Sequence, residues 1–408
     1  MKRNSLISLL LLLGLCSCAD KAWRGVEDKD YDDYDNGVPV PVVVAVGDVD
    51  VAYTKASGAA EGSSPYTKGT GAVDASEGEG LKDANIYVYA FKRGSSFTSL
   101  ARSSSSEDCL VDASLDTPSS KAGRKAWYSG DDDYLTWASS STEIYYPSGR
   151  DPYDFFAYYI DGLSEGTVSR TSSRISFPLT IDGSSDVMSA RSSLDEAALE
   201  GTEFSSIEKK LLVQYAFSAY SARRGVDPVL KFRHHLTRLR FCLYPASEDA
   251  NTVMVNEITV KSKATGQFTV VSTDENAIGL DFSGTSSRTP LFLTEADGSA
   301  LQQDHYRTNY SGDFSEDIYQ RPSVQVGGSL LVAPDDEYEV TVKMKEAKTR
   351  DYYTQTTFTL TMNGGFLASH QYEVRLAIYG MMETRPSVEI EAWGEGGSIR
   401  FDEEDKYK

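Results

Sequence analysis

Two thiols two residues apart, Cys16 and Cys18, close the apolar run in LLLGLCSCADK (11–21). A thiol at the end of such a run is placed for acylation. Cys18 has Leu15 at −3 and Ser17 at −1, the pattern of a lipoprotein signal site, whereas Cys16 carries the bulkier Leu15 at −1. The lipid is therefore expected on Cys18, and Cys16 is expected to be lost with residues 1–17. Lys2 and Arg3 give a positive start, and Leu6–Leu15 is a short apolar core. That core is about half of the ~20 residues that span a bilayer, so it reads as a secretory signal. Each buried methylene of an attached acyl chain contributes ~0.8 kcal/mol to membrane attachment, so several chains hold firmly.

The other reactive groups do not assemble into an active site. His234 and His235 are strand neighbours, so their side chains face opposite ways and cannot easily share a metal. His305 and His370 stand in loop-like contexts without companion ligands. The expected mature chain has no Cys-x-x-Cys pair. KGTGAVDASEGEG (68–80) follows no strand feeding a helix and lacks the lysine of a phosphate loop. In the acidic run 19–37, counting a calcium loop from Asp28 puts Asp33 at the glycine position and Pro39 at the distal glutamate. Nothing singles out two carboxylates as a glycosidase pair. The expectation is a protein without catalysis, metal or cofactor. Cys109 and Cys242 could pair, but Cys242, on an apolar strand, reads more simply as a small buried hydrophobe.

The 408 residues suffice for two or three domains. The net charge is −21, and −23 once Lys2 and Arg3 leave. A surface that acidic disfavours nucleic acid and anionic lipid as partners. With 25 Tyr, 32 Gly and 40% hydrophobic residues, the chain can build a core and is composed for strands and turns.

The elements follow from periodicity. Residues 18–37 read as a solvated tether. In VPVPVVVAVG (38–47), Val40, Val42, Val44 and Val46 share one face of an extended strand spanning about 38–54. After Gly47 the phase flips to Val49, Val51 and Tyr53, which suggests a bulge. Pro39 and Pro41 lack donors, so this strand is expected at a sheet edge or paired on one side only. Residues 56–80 read as a flexible loop. Strands are expected at 84–91, 151–161, 174–181, 186–190 and 211–220, with one modest helix at 193–200. A break at 223–228 precedes a second half with strands at 229–245, 255–262, 266–272, 329–344 (turning at 334–336), 356–362, 372–380 and 387–393. Short strands at this spacing predict an all-β sandwich fold, with domains at 38–228 and 229–408 and a short tail at 394–408. In that tail Ile399 and Phe401 alternate with polar residues, enough for one short strand.

Several of these segments together resemble the fimbrillin family, the type V pilins of Gram-negative anaerobes. The carriers are Cys18, the strand ending in YTKA (53–56), YDFFAYYID (153–161), DVMSA (186–190), LKFRHHLTRLRF (230–241), GGFLASHQYEVRLAIYG (364–380) and SVEIEAW (387–393). The resemblance covers nearly all of the mature chain and implies two tandem transthyretin-like β-sandwich domains. It implies an outer-membrane lipoprotein precursor, cut by a trypsin-like protease after a basic residue behind the first strand. Loss of that strand leaves a groove, filled by the C-terminal segment of another fimbrial subunit. Carried over, the scissile bond is Lys55–Ala56, with Arg24 and Lys68 as rivals. The family often has Arg there, so Lys leaves the protease open. The groove-filling face is Val40, Val42, Val44 and Val46, and the donor tail would include Ile399 and Phe401. That tail is short for a stalk subunit, so stalk, tip and anchor roles all remain open. The rival class is a monomeric surface lipoprotein that binds a glycan or protein, in which Trp127, Tyr134 and Trp137 would stack on sugar rings. Its plain counterpart is loop packing by those aromatics.

Overall fold

A computed structural model describes residues 38–47, 81, 83–102, 108–129, 133–139, 143–346, 353–380 and 383–391. Strands dominate, as the composition and alternation predict, and they form four sheets.

The first sheet runs Ala45–Val46, Val229–His234, Met188–Arg191, Tyr153–Tyr159, Ala84–Lys92, Arg124–Tyr128, Thr136–Trp137, with Cys109–Val111 added on Ala84–Lys92. Its central strands are buried on both faces. On Ala84–Lys92, Ile86, Val88 and Ala90 enter one apolar cluster while Tyr89 and Phe91 enter another. On Tyr153–Tyr159, Phe155 and Ala157 take the first side, and Phe156 and Tyr158 the second. A sheet between two cores needs apolar residues at every position. That accounts for the continuous aromatic runs IYVYAF and YDFFAYY.

The larger cluster lies between this sheet and three four-stranded sheets. One is Gly279–Asp281, Thr265–Ser272, Arg174–Thr180, Ser169–Arg170. Another is Val324–Val332, Thr237–Pro245, Gln371–Gly380, Glu383–Glu391. The last is Arg288–Phe292, Val253–Lys263, Asp335–Glu346, Tyr353–Phe366. Thr237–Pro245 and Gln371–Gly380 pair in parallel, which requires a long crossover rather than a hairpin.

Three pairings cross the boundary expected at 228/229, the first being Ala45–Val46 with Val229–Leu230. Val229–His234 pairs with Met188–Arg191, and Thr265–Ser272 pairs with Arg174–Thr180. The expected single strand 229–245 is two strands, and the chain changes sheet at His235–Leu236.

Other expectations are corrected. Residues 211–220, read as a strand, belong to the helix Ser206–Gln214 and the short helix Ala219–Ala222. The upstream signal is a capping box: Ser205 Oγ accepts from Glu208 N at 3.3 Å, and Ser205 N donates to Glu208 Oε2 at 2.8 Å. A window starting at Leu211 misses that start signal. The helix expected at 193–200 is only the 3₁₀ turn Ala197–Leu199, whose N-cap Glu196 makes no side-chain cap. Cys109 lies on the buried strand Cys109–Val111, and Cys109 and Cys242, both buried, form no disulfide.

Candidate functional site

The most unusual element is the ribbon 38–47. Only Ala45 and Val46 form regular strand, yet the ribbon is held over most of its length. Its backbone groups divide by parity. The even residues bond the segments 133–135 and 144–146: Val42 N to Ile144 O (2.8 Å), Tyr146 N to Val40 O (2.9 Å), Leu135 N to Val44 O (2.9 Å) and Val46 N to Asp133 O (2.7 Å). The odd residues turn to the opposite wall: Ala45 N to Pro228 O and Gly47 N to Leu230 O, both 2.9 Å. At the open end Arg223 Nη2 donates to Val38 O at 2.9 Å.

Around Pro39 and Pro41 this is the one-sided pairing expected, and the departure from it is at Ala45. The ribbon is paired on both sides around Ala45, in parallel with Val229–Leu230 and as an isolated antiparallel bridge to Tyr134. The prolines fit because Pro39 and Pro41 are odd residues. Their missing donors fall on the side where, among the described residues, the ribbon's own N–H groups bond only from positions 45 and 47.

The side chains follow the same parity. Val40, Val42, Val44 and Val46 are 6%, 3%, 1% and 7% exposed, whereas Val38 is 60% exposed. The four buried valines share a cluster with Ile86, Phe155, Phe217 and Leu230. Fully burying a valine is worth roughly 1.5–3 kcal/mol. Tyr146 closes the cluster, and burial pushes its hydroxyl well above the ordinary tyrosine range. Phe217, on the wall behind the ribbon, is buried with φ +54°, a strained backbone for an aromatic residue, and sits edge-on to Phe155.

The other sequence-derived candidates scatter. Cys18, Arg24, Lys55, Ala56, Lys68, Ile399 and Phe401 lie outside the described residues, as do Val49, Val51 and Tyr53. Trp127 and Trp137 do not share a face. Trp137 pairs with buried Ala126 and packs on the ribbon's cluster beneath the Arg124 guanidinium, 5.2 Å from its ring. Trp127, on the alternate face, is 38% exposed. Tyr134 is half-buried opposite Ala45. Two tryptophans on opposite faces cannot clasp one sugar ring.

The histidines separate as their spacing predicts. His234 Nδ1 lies 2.5 Å from Asp186 Oδ2, both buried. His235 Nε2 meets Ser189 Oγ at 2.7 Å on the other side. Burial, helped by the Arg233 charge, pushes His235 down to about 3. Among the described residues no group of three or more His, Cys, Asp or Glu could hold a metal ion. No described helix is long and apolar enough to cross a membrane.

The fold and this site define a structural all-β protein built around a seated terminal ribbon. A family model described as fimbrillin-like matches residues 79–393, and the chain belongs to that family. The match begins after the ribbon. The chain is thus a fimbrial-type subunit, structural rather than enzymatic, of the cell surface or its fimbriae. No curated protein matches it. Among solved structures it is similar to a candidate cell adhesion protein from Bacteroides uniformis, 14% identical with a TM-score of 0.44, over 87% of this chain and 99% of that one. A second, from Bacteroides ovatus, is 13% identical with a TM-score of 0.44, over 88% and 100%. The fimbrial anchor protein Mfa2 from Porphyromonas gingivalis is 13% identical with a TM-score of 0.31, over 86% and 96%.

Proposed function

We propose that this subunit assembles by β-strand complementation: its ribbon is a temporary occupant of a slot that a strand from another fimbrial subunit later fills. The carrying observation is the seating of Val40, Val42, Val44 and Val46 in the core by a segment with so little regular strand of its own. Removing the ribbon would take four buried side chains out of the cluster and strip partners from backbone groups on two walls. An apolar slot with unpaired edges is what an added strand satisfies.

In this reading Cys18 carries the lipid that holds the precursor on the outer membrane, and a trypsin-like protease cuts at Lys55–Ala56. Ile399 and Phe401 belong to the segment offered to a neighbour. Two tandem transthyretin-like domains, 38–228 and 229–408, are part of the same proposal.

The test is the amino-terminal sequence of the protein recovered from the cell surface, with detergent resistance of its oligomers. The expected result is a start at Ala56 with detergent-resistant ladders, both lost in Lys55→Ala. A chain that starts at Cys18 and stays monomeric after mild trypsin treatment would replace this reading with that of a surface-anchored glycan- or protein-binding lipoprotein.

A further inference from the structure

The ribbon sequence poses a register problem. Val38, Val40, Val42, Val44 and Val46 are identical residues at alternate positions. Burial forbids a one-residue slip, which would turn the valines outward. It does not forbid a two-residue slip that moves Val38, Val40, Val42 and Val44 into the places now held by Val40, Val42, Val44 and Val46. The prolines do not forbid it either. Pro39 and Pro41 would move to positions 41 and 43, and the odd-side bonds are made only at 45 and 47. The opposite slip would carry Asp48 into the apolar cluster and is disfavoured by its charge.

What distinguishes the two registers is the outward face. Ala45 pairs with Val229, and Gly47 follows on the same face. A Cβ at position 47 would lie 2.8 Å from Val229 Cγ1 and 3.5 Å from Lys231 Cγ. Slipped by two, Ala45 would place its Cβ there, and Val43 would stand opposite Val229 in place of a methyl group. Val229 is β-branched and stiff about χ1, so it yields poorly.

We propose that Gly47 and Val229 form a register lock, which selects one seating of a ribbon whose buried face alone would accept two. The lock is a property of the intact chain. Applied to strand exchange, and resting there on the reading above, it makes the slot selective for an incoming strand with β-branched residues at alternate positions and a glycine directly after the last.

Engineered disulfides in the full chain read the register directly. Pro41 and Tyr145 face each other as an antiparallel bridge and are both exposed, so Pro41→Cys with Tyr145→Cys reports the native register. Pro39→Cys with Tyr145→Cys reports the slipped one. With Gly47 and Val229 present, mild oxidation is expected to yield the 41–145 link and almost none of the 39–145 link. Val229→Ala is expected to raise the 39–145 yield by about tenfold, the scale of a relieved overpacking. Gly47→Val is expected to shift yield from the 41–145 link to the 39–145 link, and adding Val229→Ala to return part of it. A 39–145 yield unchanged by Val229→Ala overturns the lock. Because Val229 is 40% exposed, that variant reports even if Gly47→Val fails to fold. Neither cleavage nor assembly enters the measurement, so its failure would leave strand exchange to its own test.

Discussion

Replacing Val44 by alanine tests how much of the ribbon's attachment comes from its buried face. Val44 is 1% exposed, and Leu135 N donates to its carbonyl, a bond the substitution leaves in place. The change removes two methyl groups at ~0.8 kcal/mol per buried carbon. The space left behind adds to the loss, for a total of about 2–3 kcal/mol. Val38→Ala is the matched control: the same substitution three steps of the alternation earlier, at a side chain 60% exposed, is expected to cost less than about 0.5 kcal/mol. Hydrogen exchange suits the question, because a ribbon can open without the whole protein unfolding. The amides of Val42, Val46, Leu135 and Tyr146, which bond across the ribbon, are expected to exchange roughly 10- to 100-fold faster in Val44→Ala. Amides in the Val253–Lys263 and Asp335–Glu346 pair should be unmoved. Unchanged exchange across the ribbon, or an equal effect from Val38→Ala, would refute the claim that burial of the even valines holds this segment.

Two further outcomes follow from the geometry. His235 is held neutral down to about 3, below its ordinary value, so protons bind the unfolded chain first. Its contribution to stability is full above about pH 6.5 and declines as pH falls toward 3. His235→Asn should make the acid limb of a pH–stability profile shallower, and an unaltered limb counts against the assignment. Trp137→Ala should lower the melting temperature, because its ring packs on the ribbon's cluster under Arg124, while Trp127→Ala should leave it within a degree or two. Equal effects would mean that the hairpin does not divide the two rings between its faces.

Much of the ribbon was legible before any coordinates. The alternation at 40, 42, 44 and 46 named the buried face because side chains on an extended chain point alternately to its two sides. Its place in the sheet was not legible. Pro39 and Pro41 argue for one-sided pairing, which holds around them, but nothing in them announces the second wall met at Ala45. The helix Ser206–Gln214 was missed for a different reason. Leu211, Leu212 and Val213 are consecutive, so they carry no period, and the decisive Ser205–Glu208 box lies upstream of them. The aromatic residues were visible as types, but not the division of Trp127 and Trp137 between opposite faces, which depends on cross-strand pairing.

The sequence by itself determined the all-β class and the family resemblance, since composition and alternation are local properties that strands read two residues at a time. It also determined which ribbon side chains turn inward. Only the tertiary structure decided what lies on either side of them. The walls of the slot come from 133–135, 144–146 and 223–230, distant in the chain from residues 38–47. Contacts between such segments depend on how the sheet folds back on itself, which no single stretch of residues encodes. The valines therefore announce that they will be buried, while their neighbours in space set the seating.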